Sequence, residues 1–250
     1  MLSSSETPKT LLEVLRAEMA GNVKGGIYHR IQIDLTYNSN HIEGSRLTHD
    51  QTRYIYETNT IECAEGAVNV DDIVETANHF QCVNLMIAQA DQPLNEEMIL
   101  QWHQTLKNGT SDSRKSRFSV GGYKKLPNEV GGRETTLPED VPKAVAQLLR
   151  AYNAQEGKTF EEILAFHVAF ERIHPFQDGN GRVGRLILFK ECLKNDIVPF
   201  IIGENLKLYY YRGLQEWDHA RGYLLDTCRT AQDQFKGVLD YFRIPYRDDE

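Results

Sequence analysis

The chain is poor in cysteine and in net positive charge, and each shortage removes a class of function. Its four cysteines, Cys63, Cys82, Cys192 and Cys228, are scattered with no C-x-x-C pair. Neither a disulfide framework nor a structural zinc site is therefore expected. Lys and Arg number 28 against 36 Asp and Glu, a formal net charge of -8. With no basic run to offset that balance, nucleic acid is not an expected partner. No apolar run approaches the ~20 residues of a transmembrane helix, so no membrane is expected either. The opening Met1-Leu2-Ser3-Ser4-Ser5-Glu6 lacks the basic-then-apolar order of a secretory signal, which makes the cytoplasm the expected location. Internal repeats and low-complexity linkers are also missing. At 250 residues and 40% hydrophobic content, the chain can bury one large core or two small ones.

What is present reads as helices joined by short turns. Thr48 with Gln51, and Thr159 with Glu162, have the spacing of capping boxes. Asp71-Asp72 precede a long helix through Ile73, Ala77, Phe80 and Ile87, and Asn95 caps another through Met98, Trp102 and Leu106. Leu137-Pro138-Glu139 opens one through Val145, Leu148 and Tyr152, and an amphipathic helix spans Ala231 to Ile244. The predicted class is all-α. His103 and His167 lie within apolar helical patterns and read as hydrogen-bonded core residues.

Most of the chemistry is concentrated in His174-Pro175-Phe176-Gln177-Asp178-Gly179-Asn180-Gly181-Arg182-Val183-Gly184-Arg185. Ile163, Phe166, Phe170 and Ile173 place a helix before it, and Pro175 stops that helix at His174. Val183, Leu186, Ile187 and Leu193 place a second helix after it. The glycine-rich turn therefore feeds a helix N-terminus, where free N–H groups and the helix dipole favour an anion. Arg182 and Arg185, three apart, can face the same side of the first turn. Familiar phosphate and metal patterns do not fit. G-x-G-x-x-G is present but follows a helix rather than a strand. The Walker spacing ends in Arg185-Leu186 rather than Lys-Ser/Thr, and a calcium loop counted from Asp178 lacks its ligands at Arg182 and Phe189.

The segment is instead similar to the signature HPFx(D/E)GNGRxxR of the Fic family, with no motif position departing from it. The resemblance implies a mostly helical bundle with a small β-hairpin flap. It also implies transfer of AMP from ATP to a hydroxyl side chain of a target protein, self included. His174 would be the general base and Phe176 a packing residue that fixes the loop. Asp178 would bind Mg2+, and Gly179, Asn180 and Gly181 would cradle the phosphates. Arg182 would lie near the β-phosphate and Arg185 on the γ-phosphate.

A second segment, Ser39-Asn40-His41-Ile42-Glu43-Gly44, resembles the inhibitory motif (S/T)xxxE(G/N) of the same family. Ser39 and Glu43 share one helix face. The resemblance implies that Glu43 pairs with Arg185 and withholds the γ-phosphate clamp. Between the motifs, two Gly-Gly pairs bracket Tyr123 to Val130, which reads as a hairpin or flap. By resemblance it would dock the target by strand addition, through Lys124, Lys125, Leu126 and Val130. Tyr209 and Tyr210 would, again by resemblance, lie near the adenine.

The expected organisation is an N-terminal segment of residues 1–60 carrying the inhibitory motif, a catalytic core of 61–225 and a C-terminal helix and tail of 226–250. Other activities stay open at the same site: use of another nucleotide or phosphocholine, removal of AMP from a modified protein, or ATP binding without turnover. The sequence leaves room for a homo-oligomer.

Overall fold

A computed structural model describes residues 10–62 and 67–247, and nearly all of its ordered backbone is helical. Cys63 and the N-terminal hexapeptide lie outside those residues. Among the described residues there are ten α-helices: α1 (Leu11–Gly21), α2 (Ile27–Ile42), α3 (His49–Thr58), α4 (Val70–Ala88), α5 (Glu96–Lys107), α6 (Val141–Asn153), α7 (Phe160–Ile173), α8 (Asn180–Lys194), α9 (Lys207–Glu216) and α10 (Gly222–Phe242). A two-stranded antiparallel hairpin, β1 (Glu129–Val130) and β2 (Arg133–Glu134), sits between α5 and α6, with Glu129 opposite Glu134. The Thr48/Gln51 and Thr159/Glu162 capping boxes both close, and Thr10 with Glu13 makes a third at the start of α1. Such caps each satisfy orphan helix N–H groups and contribute about 1 kcal/mol.

The bundle is built around α8, whose residues are buried on every side from Val183 to Leu193. A helix buried all round belongs at the centre of a core. Two charges go in with it as a satisfied group. Lys190 Nζ donates to Glu191 Oε1 at 2.6 Å and to the Gln92 carbonyl, and Glu191 accepts from the Tyr152 hydroxyl at 2.9 Å. Around α8 one continuous apolar cluster joins Leu15 of α1, Ile31 and Leu35 of α2, Met86 of α4, Trp102 of α5, Phe170 of α7 and Phe235 of α10.

One expectation is corrected here. The helix expected at Leu137 starts at Val141, with Pro142 in its first turn and residues 138–140 forming a turn. The boundary expected between residues 225 and 226 falls inside the continuous helix α10. The described part of residues 1–60 packs on the rest of the chain: α1 and α2 contribute Leu15, Ile31 and Leu35 to the same core as α4 to α8. Cys82, Cys192 and Cys228 are buried and none is in a disulfide. Among the described residues no helix is long and apolar enough to cross a membrane.

Candidate active site

The site forms where the C-terminus of α7 meets the N-terminus of α8. The α7 helix ends with His174 in the left-handed region, φ 49° and ψ 63°, its N–H bonded to the Phe170 carbonyl at 2.9 Å. A left-handed non-glycine residue costs about 1–3 kcal/mol, and such strain concentrates at functional positions. The strain is held in place by the packing of Phe176, which is fully buried and stacked on the His103 ring at 3.8 Å between centroids. His103 is itself fixed: Gly121 N–H donates to Nδ1 at 3.1 Å, and Nε2 bonds the Asp178 carbonyl at 3.1 Å.

Asn180 then closes the loop onto itself. Its Oδ1 accepts from the Phe176 N–H at 2.8 Å, and its Nδ2 donates to the Phe176 carbonyl at 2.9 Å. The Asn180 side chain thus braces the loop. Gly179, at φ 86°, makes the left-handed turn into α8, whose first-turn N–H groups have no partner within the helix. Gly184 permits the close approach of α7 and α8. A Cβ there would lie 2.6 Å from Glu171 Oε1 and 2.8 Å from His167 Cε1.

His174 Nδ1 lies 3.3 Å from the Glu171 carbonyl. If Nδ1 carries the proton of that bond, Nε2 is the free base. Burial lowers the His174 pKa below its ordinary value; the bond to the Glu171 carbonyl opposes the shift and the charge of Lys124 adds to it. Glu171, also in the cleft, is pushed up to about 8 by burial and by the charge of Glu43.

The two arginines do not face the same side, contrary to the reading of their spacing. Arg182 turns towards α4 and bonds Glu75 Oε2 and, at 3.0 Å, Asp178 Oδ2. Arg185 turns towards α2. Its Nε donates to Ser39 Oγ at 3.0 Å, and its Nη2 donates to the Ser39 carbonyl at 2.8 Å and to Glu43 Oε1 at 2.7 Å. Ser39 lies in the last turn of α2, Glu43 is the C-cap, and Gly44 turns the chain away at φ 99°. Burial opposes the Arg185 charge, but the Glu43 carboxylate raises its pKa above the ordinary value.

Part of this arrangement opens onto a cleft of about 920 Å³, whereas Asp178 and Arg182 do not line it. Its lining includes His174, Gly181, Arg185 and Glu43, with Tyr210 and Tyr211 of α9 and Val130 of the hairpin. Of the expected tyrosine pair only Tyr210 lines this cleft, and its neighbour there is Tyr211. Tyr209 is 61% exposed and outside the cleft, whereas Tyr210 is buried with its hydroxyl 2.6 Å from His167 Nε2. Tyr211 donates to the Ile42 carbonyl at 3.2 Å, next to Glu43.

The flap is corrected in extent and in one role. Its strands are residues 129–130 and 133–134, and Arg133 bonds the Gln215 carbonyl of α9 across the cleft at 3.2 Å. Lys124 is buried rather than offered to a target. Its Nζ donates to Asn128 Oδ1 at 2.7 Å, Thr135 Oγ1 at 2.6 Å and the Ile173 carbonyl at 3.3 Å. Lys124 thus anchors the hairpin base to the end of α7, while Lys125 and Leu126 are exposed and Val130 reaches the cleft.

Asp178 is the candidate metal ligand. Burial works against its ionisation, but the charges of Arg182 and Lys107 hold its pKa well below the ordinary value. A single ionised, partly exposed carboxylate fits Mg2+, which commonly combines one or two carboxylates with substrate phosphates. Among the described residues no group of three or more His, Cys, Asp or Glu side chains could hold a metal alone. Lys107 and Glu75, partners of Asp178 and Arg182, were missed by sequence reasoning. A lysine closing a helix carries no distinguishing local signal.

Residues 93–191, from just before α5 to near the end of α8, match the model of the Fic/DOC family. The chain is 25% identical over 187 residues to the protein adenylyltransferase Fic of Nematostella vectensis, covering 74% of this chain and 43% of that protein. It is 26% identical over 182 residues to the Drosophila melanogaster protein of the same name, covering 72% and 36%. The chain therefore spans about two fifths of the length of these curated relatives. Among solved structures it is similar to a Fic domain containing signaling protein from Bacteroides thetaiotaomicron. There the TM-score is 0.69 at 23% identity, over 92% of this chain and 90% of that one. Fic-1 from C. elegans gives a TM-score of 0.73 at 17% identity, over 93% and 71%. These likenesses establish a mostly helical Fic-like fold with a small hairpin.

Proposed function

We propose that this chain is a protein adenylyltransferase, moving AMP from ATP to a Ser, Thr or Tyr hydroxyl of a target protein, and that α2 restrains it. The observation that carries this reading is the convergence of His174, Gly181 and Arg185 on one cleft, with Glu43 bonded to the arginine at 2.7 Å. The target oxygen attacks the α-phosphorus, His174 Nε2 takes the hydroxyl proton, and pyrophosphate leaves. The first-turn N–H groups of α8 receive the phosphates, and Arg185 holds the γ-phosphate once Glu43 releases it. Mg2+ held by Asp178 would neutralise phosphate charge. Such transfers depend on positioning and charge neutralisation more than on covalent help. Glu43 lines the same cleft as His174, which also suits a water-activating role if the chain removes AMP from a modified protein.

The test is incubation with ATP, UTP and GTP, each labelled at the α-phosphate, followed by detection of covalent label on protein. ATP alone is expected to label, with excess EDTA abolishing it. Label from UTP or GTP at a comparable rate would contradict the choice of nucleotide.

Acidity gives an independent check. A lowered pKa keeps the His174 ring neutral, and so able to accept a proton, until pH falls below the ~6.5 of an ordinary imidazole. The acid limb of the kcat/KM profile is therefore expected below ~6.5. An acid limb above that value would contradict base catalysis by a buried His174.

A further inference from the structure

Beneath the loop that follows His174 lies a cluster of charges in which Lys107, Glu75 and Asp112 belong to neither motif. Lys107, the last residue of α5, has a side chain only 3% exposed. Its ammonium donates to Asp178 Oδ2 at 2.6 Å, to Asp112 Oδ2 at 3.1 Å and to Glu75 Oε1. Those three bonds use every donor that a lysine has. Glu75 comes from α4, Asp112 from a 3-10 turn (Asp112–Arg114) after α5, and Asp178 from the loop. Asn78 of α4 donates to the carbonyls of Leu106 at 2.9 Å and Asn108 at 2.7 Å, so the end of α5 that carries Lys107 is fixed on α4.

The bonds of Lys107 and Arg182 to Asp178 fall on the same oxygen, Oδ2. A carboxylate gripped through one oxygen by two buried cations cannot rotate freely; the Gly179 N–H also bonds this carboxylate, and neither cation occupies its other oxygen. We propose that Lys107 is a positioning residue for the metal that arrives with the nucleotide: with Arg182 it holds Oδ2 of Asp178 and so presents Oδ1. This inference rests on the assignment of Asp178 as metal ligand in the proposed reaction. Neighbours that orient a ligating carboxylate typically contribute 10–100-fold to metal affinity.

A lysine that merely cancelled buried carboxylates would stabilise the fold without affecting metal affinity. The discriminating experiment titrates Mn2+, followed by electron paramagnetic resonance, into wild type and Lys107→Met at saturating non-hydrolysable ATP analogue. The apparent Kd for Mn2+ is expected to rise about 10–100-fold in the folded variant. Should Lys107→Met fail to fold, the double variant Lys107→Met with Asp112→Asn preserves the cluster's balance, because it removes one charge of each sign. The same rise is expected there. A Kd within about twofold of wild type in whichever variant folds would overturn the inference, since ordinary second-neighbour effects exceed that. Because the readout is metal binding, a Glu43→Gly protein that binds Mn2+ with nucleotide but transfers no AMP would sink the proposed reaction alone.

Discussion

Replacing His174 by alanine is expected to lower AMP transfer by ~10²–10⁴-fold while ATP binding stays near the wild-type level. The two readouts separate because the structure divides the labour. His174 caps α7, and its ring borders the cleft without bonding the loop proposed to receive the phosphates. That loop is braced by Asn180, by Phe176 against His103 and by Lys124 against the Ile173 carbonyl. None of these contacts involves the imidazole. Alanine tolerates the left-handed backbone no better than histidine, so a small loss of stability accompanies the substitution. Rates should therefore be taken at a temperature where both proteins are folded. Equal loss of nucleotide binding and of transfer would place His174 in ATP recognition. Transfer within a few-fold of wild type would remove it from the chemistry.

Glu43→Gly is expected to act in the opposite direction, raising the initial rate roughly ten- to a hundredfold and causing self-labelling. A charge-assisted arginine–carboxylate bond is worth about 1.5–3 kcal/mol, and that is the free energy by which the pair withholds Arg185. The gain is bounded because Ser39 remains. Its hydroxyl and carbonyl still accept from Arg185 at 3.0 and 2.8 Å after the carboxylate is gone. Arg185 must leave both to meet a γ-phosphate. The backbone is expected to accept the change, since position 43 is a helix C-cap followed by Gly44. The variant Glu43→Gly with Arg185→Ala should lose the gain, with no clamp left to release. A Glu43→Gly rate no higher than wild type would leave Glu43 as a helix-end residue. A higher rate together with loss of AMP removal would give the glutamate a second role.

Much of the helical framework was legible because its signals are local. Thr48/Gln51 and Thr159/Glu162 marked helix starts, and periodic apolar residues carried α4, α5, α7 and α8. The same signal at Thr10/Glu13 went unread, and α1 with it. Leu137-Pro138 misled because Pro142 serves equally well in the first turn of α6. The phase of α9 was not readable in a run of three tyrosines. It is set by Gly213, where a Cβ would meet Leu224 Cα of α10 at 2.7 Å, and this turns Tyr210 inward and Tyr209 out.

The site divides in the same way. The loop and its histidine lie within one short segment, whereas contacts between distant segments were readable only where a motif announced them. The bond between Glu43 and Arg185 was accessible through family resemblance. The bond between Lys107 and Asp178 had no such herald, because each residue reads locally as an ordinary helix end or cap. Likewise, three-residue spacing suggested a common face for Arg182 and Arg185. Their partners, Glu75 on α4 and Ser39 on α2, instead pull the two side chains apart.

The central claim is that this cleft transfers AMP by means of His174. The most direct measurement incubates Glu43→Gly in parallel with ATP labelled at the α-phosphate and ATP labelled at the γ-phosphate, with Glu43→Gly/His174→Ala as the control. Covalent label from the α-phosphate only, lost in the control, is the predicted result. Label from the γ-phosphate would mean phosphoryl rather than AMP transfer, and α-label undiminished in the control would mean that His174 is not the base.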